Sequence, residues 1–273
     1  MLAAYLARIG VHVPLKVDLE SLQAIHRAQA MTVPYEAIDV FAGRPVTQDL
    51  LPIQEKIIRG RRGGWCYETN RLLAWALGAL GFDVRLAMAA AYNNQMPEDS
   101  LGNHVVLIVK LHGTDWLCDL GLGDALRSPV VLREGQHQDG PLLFRLESLP
   151  NGHWRFWNHR LGDPSNFVVD PGPVDEARLA RKHAELLADP QSSFRKNFQV
   201  MQMGDVGSTV VYGRVLRRTS QHGVTKTLIA GPDEMEGVLE AEFGLRGVKI
   251  GPLWPRIHAR HAEVFGLPDA QPA

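Results

Sequence analysis

The chain has 273 residues, 45% apolar and 22% charged, with a formal net charge of −1. This describes a folded protein with a sizeable core, excludes a disordered chain, and gives no basic surface for nucleic acid or an anionic membrane. Two cysteines, Cys66 and Cys118, exclude a disulfide framework, and the longest apolar run, 86–92, is too short to cross a bilayer, so a reducing, cytoplasmic setting is expected.

Residues 2–9 read as a short helix closed by Gly10; the run holds Arg8 and is too short for a signal peptide. Asp18 is placed to cap a second helix with Leu19, Leu22, Ile25 and Ala28 on one face, ending before Pro34. Val33-Pro34-Tyr35-Glu36 reads as a loop or turn, and 50–58 as a third helix. Arg61-Arg62-Gly63-Gly64-Trp65-Cys66 leads into a fourth, where Leu72, Leu73, Trp75, Ala76, Leu77 and Leu80 keep helical spacing up to Gly81. From there 84–88, 104–111, 115–118, 143–146 and 154–157 are strand-like, and Pro150-Asn151-Gly152 marks a hairpin turn. Residues 174–189 turn helical again, and 209–217 and 224–230 read as strands with Gly223 in the turn between them. Asp233 and Glu236 are spaced as a capping box for a helix through Val238, Leu239 and Phe243. The order predicts an α+β fold: a helical bundle at 1–82, an antiparallel β-barrel-like domain at 83–173, a helical interdomain segment at 174–203 and an α/β lid at 204–273.

Chemistry concentrates at Cys66. The two glycines before it remove side chains, so the backbone can turn sharply and a substrate can approach closely. A thiol in the first turn of a helix faces unpaired N–H groups and the positive end of the dipole, which favour thiolate. The alternative is a small buried residue in a tight turn. His104 opens a strand after a polar loop at 93–103 and is the best placed of 11 histidines to meet the thiol; the alternative is a loop-end histidine bonded to water. Asp119 closes the next strand, where a carboxylate would orient and stabilise the imidazolium; the alternative is an aspartate opening a glycine turn. Cys118 reads as a core filler, and Gly121-Leu122-Gly123 lacks the third glycine of a dinucleotide fingerprint. His258 and His261 lie three apart with no third ligand, so they read as solvated and no metal is expected.

The order Cys, His, Asp, on one helix and two strands, is shared by papain-like and transglutaminase-like enzymes. The segment Arg62-Gly63-Gly64-x-Cys66-x-Glu68-x-Asn70 closely resembles the active-site signature of arylamine N-acetyltransferases. Tyr5-Leu6-Ala7-Arg8-Ile9-Gly10 resembles that family's N-terminal helix, and Val33-Pro34-Tyr35-Glu36 its Pro-aromatic-Glu element, usually with Phe. Asn103-His104 and Asp119-Leu120-Gly121-Leu122-Gly123 stand where its histidine and Asp-Val-Gly-Phe-Gly segment fall. Pro190-x-Ser192-x-Phe194 and Glu242-Phe243-Gly244-Leu245 resemble two later elements. The match is strong over 1–123 and sparse beyond; Leu120 and Leu122 replace the usual valine and aromatic residue, and 183–189 lacks the usual Thr/Ser-rich approach.

The resemblance implies a papain-like cysteine transferase architecture and acetyl-CoA-dependent transfer to arylamines, arylhydrazines or N-hydroxyarylamines, within xenobiotic metabolism. It implies a ping-pong mechanism through an acetyl thioester on Cys66, with His104 and Asp119 completing the triad. Acetyl-CoA is then the acyl-donor substrate, no cofactor is bound, and the partners are small molecules acting on a monomer or homodimer. Glu36 and Arg62 are expected as a partly buried ion pair bracing the turn at Gly63 and Gly64, against the alternative of two solvated charges. Tyr35 is expected beside the substrate. CoA contacts stay unassigned, although Arg59, Arg61 and Arg62, or Arg214, Arg217 and Arg218, offer a basic rim. Two alternatives stay open: an amide synthase closing a macrolactam from a carrier-bound acyl chain, and a non-catalytic acyl-CoA or small-aromatic binding protein. The Arg-Gly-Gly-x-Cys context speaks against a peptidase or transglutaminase.

Overall fold

The apolar spacing at the start of the chain folds as the sequence implies. In the computed structural model, which describes residues 1–93, 96, 99–220 and 222–266, α1 (Leu2–Ile9) ends at Gly10 in a left-handed conformation (φ 73°). The Asp18 carboxylate caps α2 (Leu19–Thr32) by accepting from the Ser21 amide at 2.9 Å. Then come β1 (Tyr35–Glu36), α3 (Ile38–Ala42) and α4 (Leu50–Gln54), which continues as a π-helical turn (Glu55–Arg59). The glycine turn delivers the chain into α5 (Cys66–Ala79). Tyr5, Leu22, Ile25, Leu73 and Leu77 pack these helices together and onto Leu107 and Cys118 of the following sheet.

That sheet is wholly antiparallel. Its strands are β2 (Asp83–Tyr92), β3 (His104–Leu111), β4 (Thr114–Cys118), β5 (Val130–Val131), β6 (Gly135–Asp139), β7 (Leu142–Ser148), β8 (Trp154–Trp157) and β9 (Asn166–Val169). They run in the order β5-β4-β3-β2-β9-β8-β7-β6 and curl, barrel-like, around Phe144, Phe156 and Phe167. β3 is apolar on both faces because it serves two cores. Leu107 and Val109 face the helices, whereas Val106 and Ile108 face the inside of the curled sheet.

The remainder comprises α6 (Glu176–Ala188), α7 (Ser193–Lys196), β10 (Gln199–Met203), β11 (Ser208–Tyr212), β12 (Val215–Ser220), β13 (Gly223–Leu228), α8 (Pro232–Phe243) and α9 (Trp254–Phe265). A second sheet runs β1-β10-β11-β12-β13 and packs on α8 and α9 through Val200, Val211, Leu239 and Ile257. No helix among the described residues is long and apolar enough to cross a membrane.

Several expectations are corrected. Tyr35 and Glu36 form a strand rather than a loop, pairing with Met201 and Val200. Residues 209–217 are two strands, since Gly213 (φ 57°) turns the chain between Tyr212 and Val215. Gly223 begins a strand instead of lying in the turn, paired with Ser220. Asp233 and Glu236 form no capping box: Gly231 is the N-cap, and Glu236 accepts from the Ile250 amide at 2.8 Å. His261 is buried against Phe265, with ring centroids 4.7 Å apart, rather than solvated. In the loop at 93–103, residues 94, 95, 97 and 98 lie outside the described residues, as do 221 and 267–273 of the segment at 204–273.

Candidate active site

Three elements converge on Cys66. The thiol is the first residue of α5, and His104 is the first residue of β3. Asp119 follows the last residue of β4, and the β3–β4 hairpin, closed by His112 and Gly113, sets the aspartate beside the histidine. His104 Nε2 lies 2.8 Å from Asp119 Oδ2, and Cys66 and His104 line the same cavity. All three side chains are almost completely buried. Burial opposes charge on the imidazole, yet Asp119 and Cys66 overcome it and hold His104 up at about 10. The ring therefore stays an imidazolium through neutral pH, beside a sulfur that an imidazolium stabilises as thiolate.

The carboxylate is held from several sides. Asp119 Oδ1 accepts from Asn70 Nδ2 at 2.9 Å and from the Gly121 amide at 2.7 Å. Asn70 lies four residues after Cys66 on the same helix face. Its amide nitrogen also donates to the Val105 carbonyl (2.7 Å), and its oxygen accepts from the Leu120 amide (2.9 Å). The Asp119 amide in turn donates to His26 Nε2 at 3.2 Å, and that ring lies wholly inside the protein.

The turn before Cys66 is braced by charge. Glu36, with no exposed surface, meets Arg62 at 2.7 Å and accepts from the Ile38 amide at 2.9 Å. The pair belongs to a larger cluster: Asp39 lies 3.1 Å from both Arg62 and Lys56, and Lys56 meets Glu68 at 2.8 Å. Glu68 reaches back to the Trp65 amide at 3.3 Å, and burial pushes its carboxyl up to about 7 against the pull of Lys56. Backbone pairing completes the brace, with the Gly64 amide donating to the Pro34 carbonyl (3.2 Å) and the Glu36 amide to the Gly64 carbonyl (3.0 Å). A side chain at Gly63 would collide with the Pro34 carbonyl, and one at Gly121 with Cys66 itself.

A cavity of about 290 Å³ opens onto Cys66 and His104. Tyr35, Leu122, Phe194, Met201 and Tyr212 wall it, so residues from the start, middle and end of the chain meet there. This volume fits a small aromatic molecule rather than a folded chain. Among the described residues, no group of three or more His, Cys, Asp or Glu side chains is arranged to hold a metal. The basic runs are mostly tied up, with Arg59 on Glu55, Arg217 on Asp124 and Arg218 on Glu242.

The structure thus brings together Cys66, His104 and Asp119, and it joins Glu36 to Arg62 beside Gly63 and Gly64. It sets Tyr35 in the cavity wall. The sequence reading missed Asn70 and Glu68 as parts of the site, although both stand in the quoted motif and Asn70 is at helical spacing from Cys66. It missed His26, Asp39 and Lys56, whose partners are distant in the chain.

Comparison with known proteins identifies the family and the fold. The N-acetyltransferase family model matches residues 18–249. Arylamine N-acetyltransferase 2 of Mesocricetus auratus is 32% identical over 273 residues, covering 89% of this chain and 93% of that protein. The arylamine N-acetyltransferase of Salmonella typhimurium superimposes with a TM-score of 0.85 at 24% identity, covering 94% of this chain and 98% of that one. The Mycobacterium marinum enzyme in complex with CoA superimposes with a TM-score of 0.83 at 22% identity, over 97% of this chain and 99% of that one. On the span of that family match and the identity to full-length relatives, the chain belongs to the arylamine N-acetyltransferase family of acyltransferases.

Proposed function

We propose that this protein transfers an acetyl group from acetyl-CoA to an arylamine, arylhydrazine or N-hydroxyarylamine, through a thioester on Cys66. One observation carries the reading: a buried cluster of Cys66, His104 and Asp119 whose sulfur and imidazole open onto a cavity walled in part by aromatic and apolar side chains. The CoA complex of the Mycobacterium marinum relative supports the choice of donor.

The Cys66 thiolate attacks the thioester carbonyl, and the Cys66 backbone N–H, free in the first turn of α5, faces the developing oxyanion. Coenzyme A leaves as its thiolate and takes the proton from His104, so the ring becomes neutral as Cys66 becomes acetylated. The acceptor nitrogen then attacks the acetyl-cysteine. His104 takes the proton the nitrogen sheds, Cys66 leaves as thiolate, and the starting ion pair is restored. Asp119 holds the ring in place and stabilises its charged form. Arg62, Glu36, Gly63 and Gly64 support the turn that presents the sulfur, and Tyr35 lies against the acceptor. No step needs a metal or a bound cofactor. Both cysteines are free and buried, in keeping with a cytoplasmic enzyme of xenobiotic metabolism acting as a monomer or homodimer.

The test is intact mass after brief mixing with acetyl-CoA alone. One added acetyl group is expected, absent in Cys66→Ala and removed by an arylamine. No adduct on a protein whose Cys66 still reacts with iodoacetamide would reject acetyl-CoA as donor and favour a carrier-bound acyl chain.

A further inference from the structure

His26 is a buried histidine with no part in the transfer just described. It lies on α2, with no exposed surface, and its ring makes two hydrogen bonds to backbone. The Asp119 amide has only a hydrogen to offer, so Nε2 must accept it (3.2 Å) and carries no proton. The Arg127 carbonyl can only accept, so Nδ1 donates to it (3.1 Å) and carries the ring's single proton. The partners thereby select one neutral tautomer, and both ring nitrogens are satisfied. Burial agrees, depressing the ring to about 4 against the pull of Asp119 and Asp139.

Both ends of this bridge are firmly anchored. Arg127 is buried, and its guanidinium bonds the Asp205 and Asp139 carbonyls and lies 3.1 Å from the Asp139 carboxylate. At the other end, the Asp119 carboxylate is the partner of His104. The Asp119 amide lies just beyond the end of β4, where no strand ladder continues, so His26 supplies the acceptor that the sheet does not.

We propose that His26 is a positioning residue for the transfer reaction. Its neutral Nε2 fixes the Asp119 backbone, and so the angle at which that carboxylate meets His104. A loosened Asp119 stabilises the imidazolium less, and Cys66 then reacts more slowly near neutral pH. The inference rests on reading Cys66, His104 and Asp119 as the reacting triad.

Two substitutions separate this role from simple packing. His26→Gln can place an oxygen where Nε2 lies and keep the bond to Asp119, losing the one to Arg127. His26→Asn can place an amide N–H where Nδ1 lies and keep the bond to Arg127, losing the one to Asp119. Each variant retains one of the two bonds, so their stability losses are matched within the limits of side-chain volume. Alkylation of Cys66 by iodoacetamide is measured at about pH 6.5 and about pH 9, below the melting midpoint of both variants. His26→Gln should keep the wild-type ratio of rates between the two pH values. In His26→Asn the rate at the lower pH should fall about tenfold, the scale of one lost buried hydrogen bond. Equal rates in the two variants, whether high or low, would overturn the positioning role. Slow alkylation of wild type at the lower pH would instead reject the triad reading on which the role depends.

Discussion

Replacing Arg62 with alanine leaves Glu36 in a place where a carboxylate cannot reach water. The Glu36 side chain has no exposed surface, and after the loss of Arg62 its nearest cation is Lys56 at 3.9 Å. Lys56 is already engaged by Asp39 at 3.1 Å and Glu68 at 2.8 Å. Removing one side of a buried pair costs about 3–5 kcal/mol, and the stranded carboxylate puts this variant at the upper end. Glu36→Ala is the milder change, because Arg62 keeps Asp39 at 3.1 Å and is itself about 20% exposed. It should fall near the lower end, about 3 kcal/mol. Urea unfolding followed by tryptophan fluorescence measures both. The corresponding drop in melting midpoint is on the order of 10 °C for either variant, larger for Arg62→Ala. Both should also lose alkylation of Cys66 at neutral pH, because the brace sits on the turn that presents the thiol. A Glu36→Ala protein within about 1 kcal/mol of wild type would refute the bracing role, since that is the scale of a solvated pair. A larger loss for Glu36→Ala than for Arg62→Ala would refute the reasoning about stranded charge.

Other expectations follow from the same geometry. Cys66→Ala should abolish transfer, and His104→Ala and Asp119→Ala should each cost nearly as much, with double variants little worse than single ones; steady-state kinetics would expose additivity if the three act independently. His104→Ala removes the charged partner beside the sulfur, so alkylation of Cys66 at neutral pH should slow markedly; a rate equal to wild type would refute the pairing. A folded-state value raised above the unfolded one gives stability below about 6.5 that is lost as pH rises through about 10, so a chelate-free urea titration should show weakening on the alkaline side. His26 has the opposite sign: depressed to about 4, it favours the fold above about 6.5 and withdraws that support as pH falls through 4, and His26→Gln should flatten this acid limb. Gly121→Ala should destroy transfer by displacing Cys66, with the loss visible as a failure to acetylate and not as a raised KM alone.

Much of the site was legible because its signals are local. The α5 stripe, the glycines before Cys66 and the β3–β4 hairpin each depend on residues within a few positions of one another, and together they place the thiol, the imidazole and the carboxylate. β1 was read as a loop because two residues carry no periodicity; only their partners in β10 make them a strand. The turn at Gly213 was hidden inside an apolar run that stays strand-like on both sides. The cluster around Glu36 was seen as one pair, since Lys56 and Asp39 come from separate short helical segments and meet only after folding. Asn70 and His26 were overlooked for the same reason: a polar side chain announces its type in the sequence but not its partner.

The two residues of β1 have a mechanical consequence. Tyr35 pairs with Met201 in the second sheet and bridges to Gly64 in the turn before the thiol. Met201 and Tyr212, on that sheet, also wall the cavity. The far end of the chain is thereby wired to the nucleophile by backbone hydrogen bonds. A ligand that steadies this wall will also steady the turn, and the Gly64 amide, bonded to Pro34, becomes a built-in gauge of occupancy. Its hydrogen exchange should slow when the cavity fills, without any movement of the sulfur.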